Sequence, residues 1–152
     1  DFDGHAPFED ALHAELTQAG VELVCLAGFM RLLTERFVER WFDRMLNIHP
    51  SLLPAYRGLN THRRVLAAGD TEHGVTVHFV TPQLDGGPLI AQTRVPVRKT
   101  DDEQALAERV LAQEHCLLPW VVGLFAARRV MLDDDDQVSL DGTIISQPLQ
   151  LN

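Results

Sequence analysis

The chain has 152 residues, 45% of them apolar, and a formal net charge of −9. This length and apolar content fit one compact domain, residues 1–152, with a core of its own. The acidic balance argues against nucleic-acid binding, which needs clustered lysine and arginine, and no apolar run approaches the roughly 20 residues of a membrane span. We therefore expect a cytoplasmic protein whose two cysteines, Cys25 and Cys116, are buried free thiols.

The first half of the chain predicts alternating helices and strands. Residues 8–20 have apolar residues at helical spacing, and residues 21–27 form an apolar run typical of a strand buried on both faces. Thr34 should cap a helix through about residue 42. Residues 45–49 form a short strand that Pro50 ends, because proline has no amide donor.

The second half continues the same order. Residues 60–68 predict a helix, and residues 74–80 and 88–97 predict strands. A capping box at Thr100-Asp-Asp-Glu103 should open a long helix, which Pro119 should kink or divide. Asp133 to Asp136 predict a solvated turn, with a metal site as the alternative. The order predicts an α/β fold with a mostly parallel twisted sheet and helices on both faces.

The end of the strand at residues 45–49 is the first candidate site. Side chains alternate across a strand, so Asn47 and His49 share one face while Ile48 points to the other. In open α/β sheets, ligands bind at the carboxyl ends of the strands. On spacing alone, it is equally plausible that the two side chains only satisfy hydrogen bonds in a strand-to-loop turn.

Four motifs together resemble the folate-dependent formyltransferases, over residues 2–130. They are Asn47-Ile-His-Pro-Ser-Leu-Leu-Pro54, Gly58-Leu-Asn-Thr-His-Arg63, His78-Phe-Val80 and Leu84-Asp-Gly-Gly-Pro88. The resemblance implies a Rossmann-like fold and a transferase of de novo purine biosynthesis and one-carbon metabolism. It implies 10-formyltetrahydrofolate as the formyl donor, the amine of glycinamide ribonucleotide as the acceptor, and no metal. These two small molecules are then the partners, and a homodimer is left open.

The resemblance also assigns three catalytic residues: Asn47, His49 and Asp85. Formyl transfer passes through a tetrahedral intermediate with a negative oxygen, to which the Asn47 amide can donate. A charged His49 can donate there too, or protonate the leaving nitrogen. A free histidine titrates near pH ~6.5, so a carboxylate such as Asp85 would keep it charged. Without the resemblance, an aspartate before Gly-Gly is more often a turn residue.

Two loops are expected to bind the folate, and one helix the ribonucleotide. The resemblance implies that the folate contacts Met30, Arg31, Leu32, Leu33, Asn47, Thr81, Pro82, Gln83, Leu84 and Asp85. It places Gln113 and Glu114 on the ribonucleotide side. The alternatives are an ordinary helix-entry loop at residues 30–33 and exposed helix residues at 113–114. His78 could face the same cleft as Asn47, in a supporting rather than a catalytic role.

The family begins with a strand and a glycine-rich phosphate loop, and no such loop precedes Asp1-Phe-Asp-Gly4. We therefore expect the larger, C-terminal part of the domain, without the N-terminal strands. One alternative function is a formyltetrahydrofolate deformylase-type hydrolase, in which water replaces the amine. Another is a non-catalytic fragment of the fold. A tRNA-directed formyltransferase is disfavoured because it would need a basic module.

Overall fold

A computed structural model describes residues 5–29 and 31–151. The elements, in chain order, are α1 (His5–Gln18), β1 (Val24–Ala27), α2 (Glu35–Arg40), β2 (Met45–His49), α3 (Thr61–Ala68), β3 (Glu72–Phe79), β4 (Leu89–Pro96), α4 (Glu103–Ala126), β5 (Val130–Leu132), β6 (Val138–Leu140), β7 (Thr143–Ile144) and β8 (Leu149–Gln150). Within the described ranges, no helix is long and apolar enough to cross a membrane.

Within the described part of the chain, five strands form the main sheet, in the order β1-β2-β3-β4-β8, and β5, β6 and β7 form a small separate sheet. The α/β fold is confirmed, and β1 and β2 are neighbouring strands, with Val24 opposite Met45. The expectation of a mostly parallel sheet needs a correction. β1 and β2 are parallel, as are β4 and β8, whereas β3 runs antiparallel to both of its neighbours. The loop between β3 and β4 is too short for the crossover that parallel strands need.

Helices pack on both faces of this sheet, as predicted. One face of β2 carries Leu46 and Ile48, which are buried together with the inward side chains of β3 and α4. The other face carries Met45, which packs against Phe37 and Trp41 at α2. The alternation of strand side chains therefore divides the core into two clusters, one on each side of the sheet.

The helix starts follow local hydrogen bonds. Thr34 caps α2 as predicted, accepting from the Phe37 amide at 3.3 Å, although α2 ends two residues earlier than expected. The predicted capping box is wrong: Asp102 caps α4 by accepting from the Ala105 amide at 2.8 Å. α4 then runs through Pro119 as one undivided helix.

The predicted burial of the cysteines is wrong, and so is the strand buried on both faces. In β1, Val24 and Leu26 pack inward, whereas Cys25 and Ala27 are exposed. Among the strands that the structure describes, β1 lies at the edge of the sheet, and α4 packs against β3 and β4 rather than over β1. Cys116 is exposed because it lies on the outward side of α4.

Candidate active site

Four polar side chains lie on one face of the sheet, where β2 meets β3. The antiparallel register places Asn47 opposite His78 and His49 opposite Thr76. Side chains of directly opposed residues are neighbours on the same face. His49, Thr76 and His78 are buried and Asn47 is half-buried. The sheet therefore presents a compact polar group at the carboxyl end of β2, the location that the sequence predicted.

The Asn47 side chain is oriented by His78, which faces the same cleft, as expected. Nδ2 of Asn47 lies 3.2 Å from Nε2 of His78, and Nδ1 of His78 lies 2.8 Å from the carbonyl oxygen of Phe79. Because a carbonyl only accepts, Nδ1 carries the hydrogen. Burial lowers the pKa of His78, so the ring is neutral and Nε2 accepts from the Asn47 amide. The second amide hydrogen of Asn47 remains available to a ligand.

His49 and Asp85 form the second pair. Nδ1 of His49 lies 3.5 Å from Oδ2 of Asp85, and Nε2 of His49 lies 2.9 Å from the carbonyl oxygen of Tyr56. A carbonyl only accepts, so Nε2 carries a hydrogen and donates to Tyr56, while Nδ1 faces the Asp85 carboxylate. Oδ2 of Asp85 also accepts from the Gly58 amide at 2.9 Å. The backbone of residues 56–58 therefore holds both members of the pair.

The loop that carries Asp85 lies directly against β3. Asp85 has a φ of 47°, in the left-handed region that aspartate tolerates better than most residues. A Cβ atom on Gly87 would lie 1.9 Å from the carbonyl oxygen of Phe79. Asp85 is thus a turn residue whose side chain also contacts His49. The close approach that requires Gly87 is to the protein's own strand.

A cleft opens beside this polar group. It is lined by Leu26, Phe29, Arg31, Leu32, Leu33, Val38, Asn47, His78, Val80, Thr81, Pro82, Gln83, Leu84 and Asp85. Residues 31–33 form one wall and residues 80–85 the other. The guanidinium of Arg31 lies 4.6 Å from the centre of the Phe8 ring, which ties the first wall to α1. Leu32 and Leu84 are exposed at the rim, so apolar surface is open to a ligand.

The predicted folate residues lie together in this cleft, with one outside the described residues. Nine of the ten line it, and Met30 is the one that is not described. His49 lies behind Asp85 and does not line the cleft. Gln113 and Glu114 do not line it either, because α4 packs on the opposite face of the sheet. Burial raises the pKa of Glu114.

The sequence did not predict the backbone contacts of Tyr56 and Gly58. It also did not predict that His62 and His73 contact each other. Nδ1 of His62 lies 3.0 Å from Nε2 of the buried His73. Burial, together with the neighbouring His62, lowers the pKa of His73 to about 4. This pair is therefore neutral near pH 7, with one ring donating to the other. Only the proline and glycine content of residues 50–58 hinted at a structured loop.

Among the described residues, no group of three or more histidine, cysteine, aspartate or glutamate side chains is placed to hold a metal ion. The aspartates at 133–136 instead form a turn between β5 and β6, in which Asp133 accepts from the backbone amides of Asp135 and Gln137.

Comparison with known proteins identifies the family. The model of the formyl transferase family matches residues 1–122. The chain is 47% identical over 134 residues to phosphoribosylglycinamide formyltransferase from Escherichia coli (strain K12), covering 88% of this chain and 63% of that protein. The chain thus spans less than two thirds of that relative's length.

Solved structures give the same result. Phosphoribosylglycinamide formyltransferase from Coxiella burnetii, in complex with CHES, superposes with a TM-score of 0.94 at 46% identity, over 99% of this chain and 71% of that one. A formyltetrahydrofolate deformylase from Pseudomonas syringae is more distant, with a TM-score of 0.82 at 25% identity, over 88% of this chain and 45% of that one. The match to the family model covers most of the chain, and the chain therefore belongs to the formyl transferase family.

Proposed function

We propose that the full-length protein transfers a formyl group from 10-formyltetrahydrofolate to the amine of glycinamide ribonucleotide. The observation that carries the proposal is the grouping of three side chains at one cleft or directly behind its lining. Asn47 and Asp85 line the cleft, and His49 contacts Asp85 from behind. An amide donor, a carboxylate and a histidine are the groups that formyl transfer to an amine requires.

The reaction makes one bond and breaks one. The amine nitrogen attacks the formyl carbon, and the carbonyl oxygen becomes a negatively charged oxyanion. The carbon–nitrogen bond to the folate then breaks, while the folate nitrogen gains a proton and the amine nitrogen loses one. Asn47 is placed to stabilise the oxyanion, because His78 fixes its amide nitrogen and leaves one hydrogen free. Such a donor costs nothing to reorganise during the reaction.

His49 and Asp85 are proposed to deliver the proton that the leaving folate nitrogen gains. His49 is buried behind Asp85, so a proton that leaves His49 reaches the cleft through the Asp85 side chain or a water beside it. Asp85 and Tyr56 hold the His49 ring in place, because the carboxylate faces Nδ1 while the Tyr56 carbonyl accepts from Nε2. His49 is then the general acid, and Asp85 links it to the substrate.

The two walls of the cleft are proposed to hold the folate ring. Residues 31–33 and 81–85 offer exposed apolar side chains and backbone polar groups on opposite sides. Such a mixture suits a flat ring with polar edges. Gln113 and Glu114 are proposed for the ribonucleotide side. On this proposal the partners of the protein are two small molecules, and the reaction takes place in the cytoplasm.

The test is a turnover assay of the full-length protein with both substrates. His49→Ala should lower turnover by about 10²–10⁴-fold, as loss of a general acid does, and Asn47→Ala by about 10²–10³-fold, as loss of an oxyanion donor does. Lys99→Ala removes an exposed charged side chain in the loop before α4 and serves as the control. Wild-type turnover in His49→Ala would overturn the assignment.

The hydrolase alternative uses the same three residues with water as the nucleophile. It is separated from the transferase by the products formed when the ribonucleotide is left out. A transferase then releases almost no formate, whereas a deformylase releases formate at the same rate with or without the amine. Formate release that is independent of the ribonucleotide would decide against the transfer reaction.

A further inference from the structure

A buried polar layer lies between the sheet and the loop of residues 51–58. The sheet register aligns His49 with Thr76, and Thr76 with Gln92 on β4. Thr76 is fully buried, and Gln92 is 5% exposed. The large majority of buried polar side chains are hydrogen-bonded, so the partners of these two define what the layer holds. This polar layer begins at His49 in the candidate active site and continues through Thr76 to Gln92, which does not line the cleft.

Gln92 and Thr76 together bind the start of the loop. Nε2 of Gln92 donates to the carbonyl oxygen of Leu53 at 2.8 Å and to Oγ1 of Thr76 at 3.0 Å. The Thr76 hydroxyl donates to the carbonyl oxygen of Ser51 at 2.7 Å and accepts from the Leu53 amide at 3.1 Å. Both hydrogens of the Gln92 amide are therefore used, and the loop backbone is attached to the sheet at two residues.

The attached loop supplies the backbone groups that hold the catalytic pair. The Tyr56 carbonyl faces Nε2 of His49, and the Gly58 amide donates to Asp85. Both groups follow Leu53 by a few residues, so their position depends on the attachment of Leu53. We propose that Gln92 is a positioning residue for formyl transfer, acting through the loop on His49 and Asp85. This inference rests on the proposed function.

The substitution that isolates this role is Gln92→Met. Methionine keeps the length and fills the same space, but it donates no hydrogen bond, so the Leu53 carbonyl loses its Gln92 partner. The neighbouring Thr93 offers a matched control. Thr93 is also buried on β4, and its hydroxyl has no hydrogen-bond partner among the described residues. Thr93→Val thus changes a buried polar residue without touching the layer.

The first measurement is steady-state kinetics of the full-length protein with 10-formyltetrahydrofolate and glycinamide ribonucleotide. Gln92→Met should lower kcat by about 10- to 100-fold, because small displacements of catalytic groups cost rates of that order. KM for both substrates should stay within about twofold, since Gln92 does not line the cleft. Thr93→Val should leave both constants near wild type. An unchanged kcat, or a change in KM alone, overturns the proposal.

The second measurement needs no substrate and separates positioning from general stability. Amide hydrogen exchange of Gly58, followed by NMR, reports its bond to Asp85. Gln92→Met should accelerate that exchange by about tenfold or more, while the amides of β3 and β4 that lie away from position 92 keep their protection. Exchange of Gly58 at the wild-type rate contradicts the proposal, even where kcat falls.

Two further outcomes are distinguishable. If Gln92→Met does not fold, Gln92→Asn shortens the side chain by one methylene while keeping it polar, and the same two readouts apply. If the wild-type protein transfers no formyl group, the proposed function fails, and Gly58 exchange in the variant still decides whether Gln92 holds the loop.

Discussion

The two faces of β2 carry opposite chemistry on five residues. Leu46 and Ile48 meet the apolar side of α4, whereas Asn47 and His49 meet a loop. A helix has satisfied its own backbone, so it offers a neighbouring strand little besides side chains. A loop offers free carbonyl and amide groups, such as those of Tyr56 and Gly58. The comparison teaches that the face covered by α4 supplies stability, whereas the other face supplies chemistry at its loop-covered end, beyond the point where Met45 packs against Phe37 and Trp41 at α2.

The largest effect on turnover is expected from a substitution on the loop-covered face, at Asp85. Asp85→Asn should lower turnover by about 10²–10⁴-fold, because the charge that faces His49 is lost. Its remaining oxygen still accepts from the Gly58 amide, so the unfolding midpoint in urea should hardly move. Adding His49→Ala to Asp85→Asn should give much less than the product of the two single effects, since one residue acts through the other. Wild-type turnover in Asp85→Asn would reduce Asp85 to a turn residue.

A substitution on the helix-covered face should lower stability and leave turnover unchanged. Leu117→Ala leaves a cavity beneath α4 and should lower the free energy of unfolding by about 2–5 kcal/mol, as other buried leucines do. Turnover per folded molecule should remain at the wild-type level. Urea denaturation followed by circular dichroism gives the first quantity, and an assay at a temperature where the variant is fully folded gives the second. A loss of turnover in the folded variant would break the division between the faces.

His73 sharpens the comparison, because it is a titratable group on the helix-covered side of β3. Its pKa is about 4 in the folded protein and would be near 6.5 in the unfolded chain. Between these values the unfolded chain binds a proton that the folded one does not, so stability falls as the pH is lowered from 6.5 to 4. The full effect is about 3 kcal/mol at 1.36 kcal/mol per pH unit. It is absent above pH 6.5.

The measurement is the urea midpoint from pH 4 to pH 8. His73→Phe should flatten the acid side of this profile, whereas His115→Gln, at an exposed site, should follow the wild type. A profile that keeps its full slope in His73→Phe would assign the acid sensitivity to other groups.

The smallest change in stability is expected from a substitution that contacts neither face of β2. Gly123 lies near the end of α4 with open space around the position of a Cβ atom. Gly123→Ala should raise the free energy of unfolding by about 0.5–1 kcal/mol, because alanine loses less backbone entropy in a helix. Turnover should be unchanged. A destabilised variant would show that something covers this part of α4 in the full-length protein.

Much of the fold follows from local sequence, and the site follows from it only in part. Alternation placed Asn47 and His49 on one face, and Thr34 marked the start of α2, because these features depend on neighbours in the chain. The contacts of Tyr56 and Gly58 were not predictable, because they are made by backbone atoms that every residue has. The exposure of Cys25 escaped prediction because burial of a strand depends on which elements cover it.

The close approach of Gly87 to β3 has a consequence for how a ligand enters. The ends of the loop at residues 80–88 are tied together, since the Phe79 amide donates to the Pro88 carbonyl at 2.9 Å and Gly87 leaves no room for a shift. This wall of the cleft therefore moves as one body with the sheet. The opposite wall, at residues 31–33, belongs to a loop that borders α1 through Arg31 and Phe8. The two walls are therefore anchored to different parts of the fold, the wall bearing Asp85 to the sheet and the wall at residues 31–33 to α1, so the width of the cleft depends on how α1 sits against the sheet.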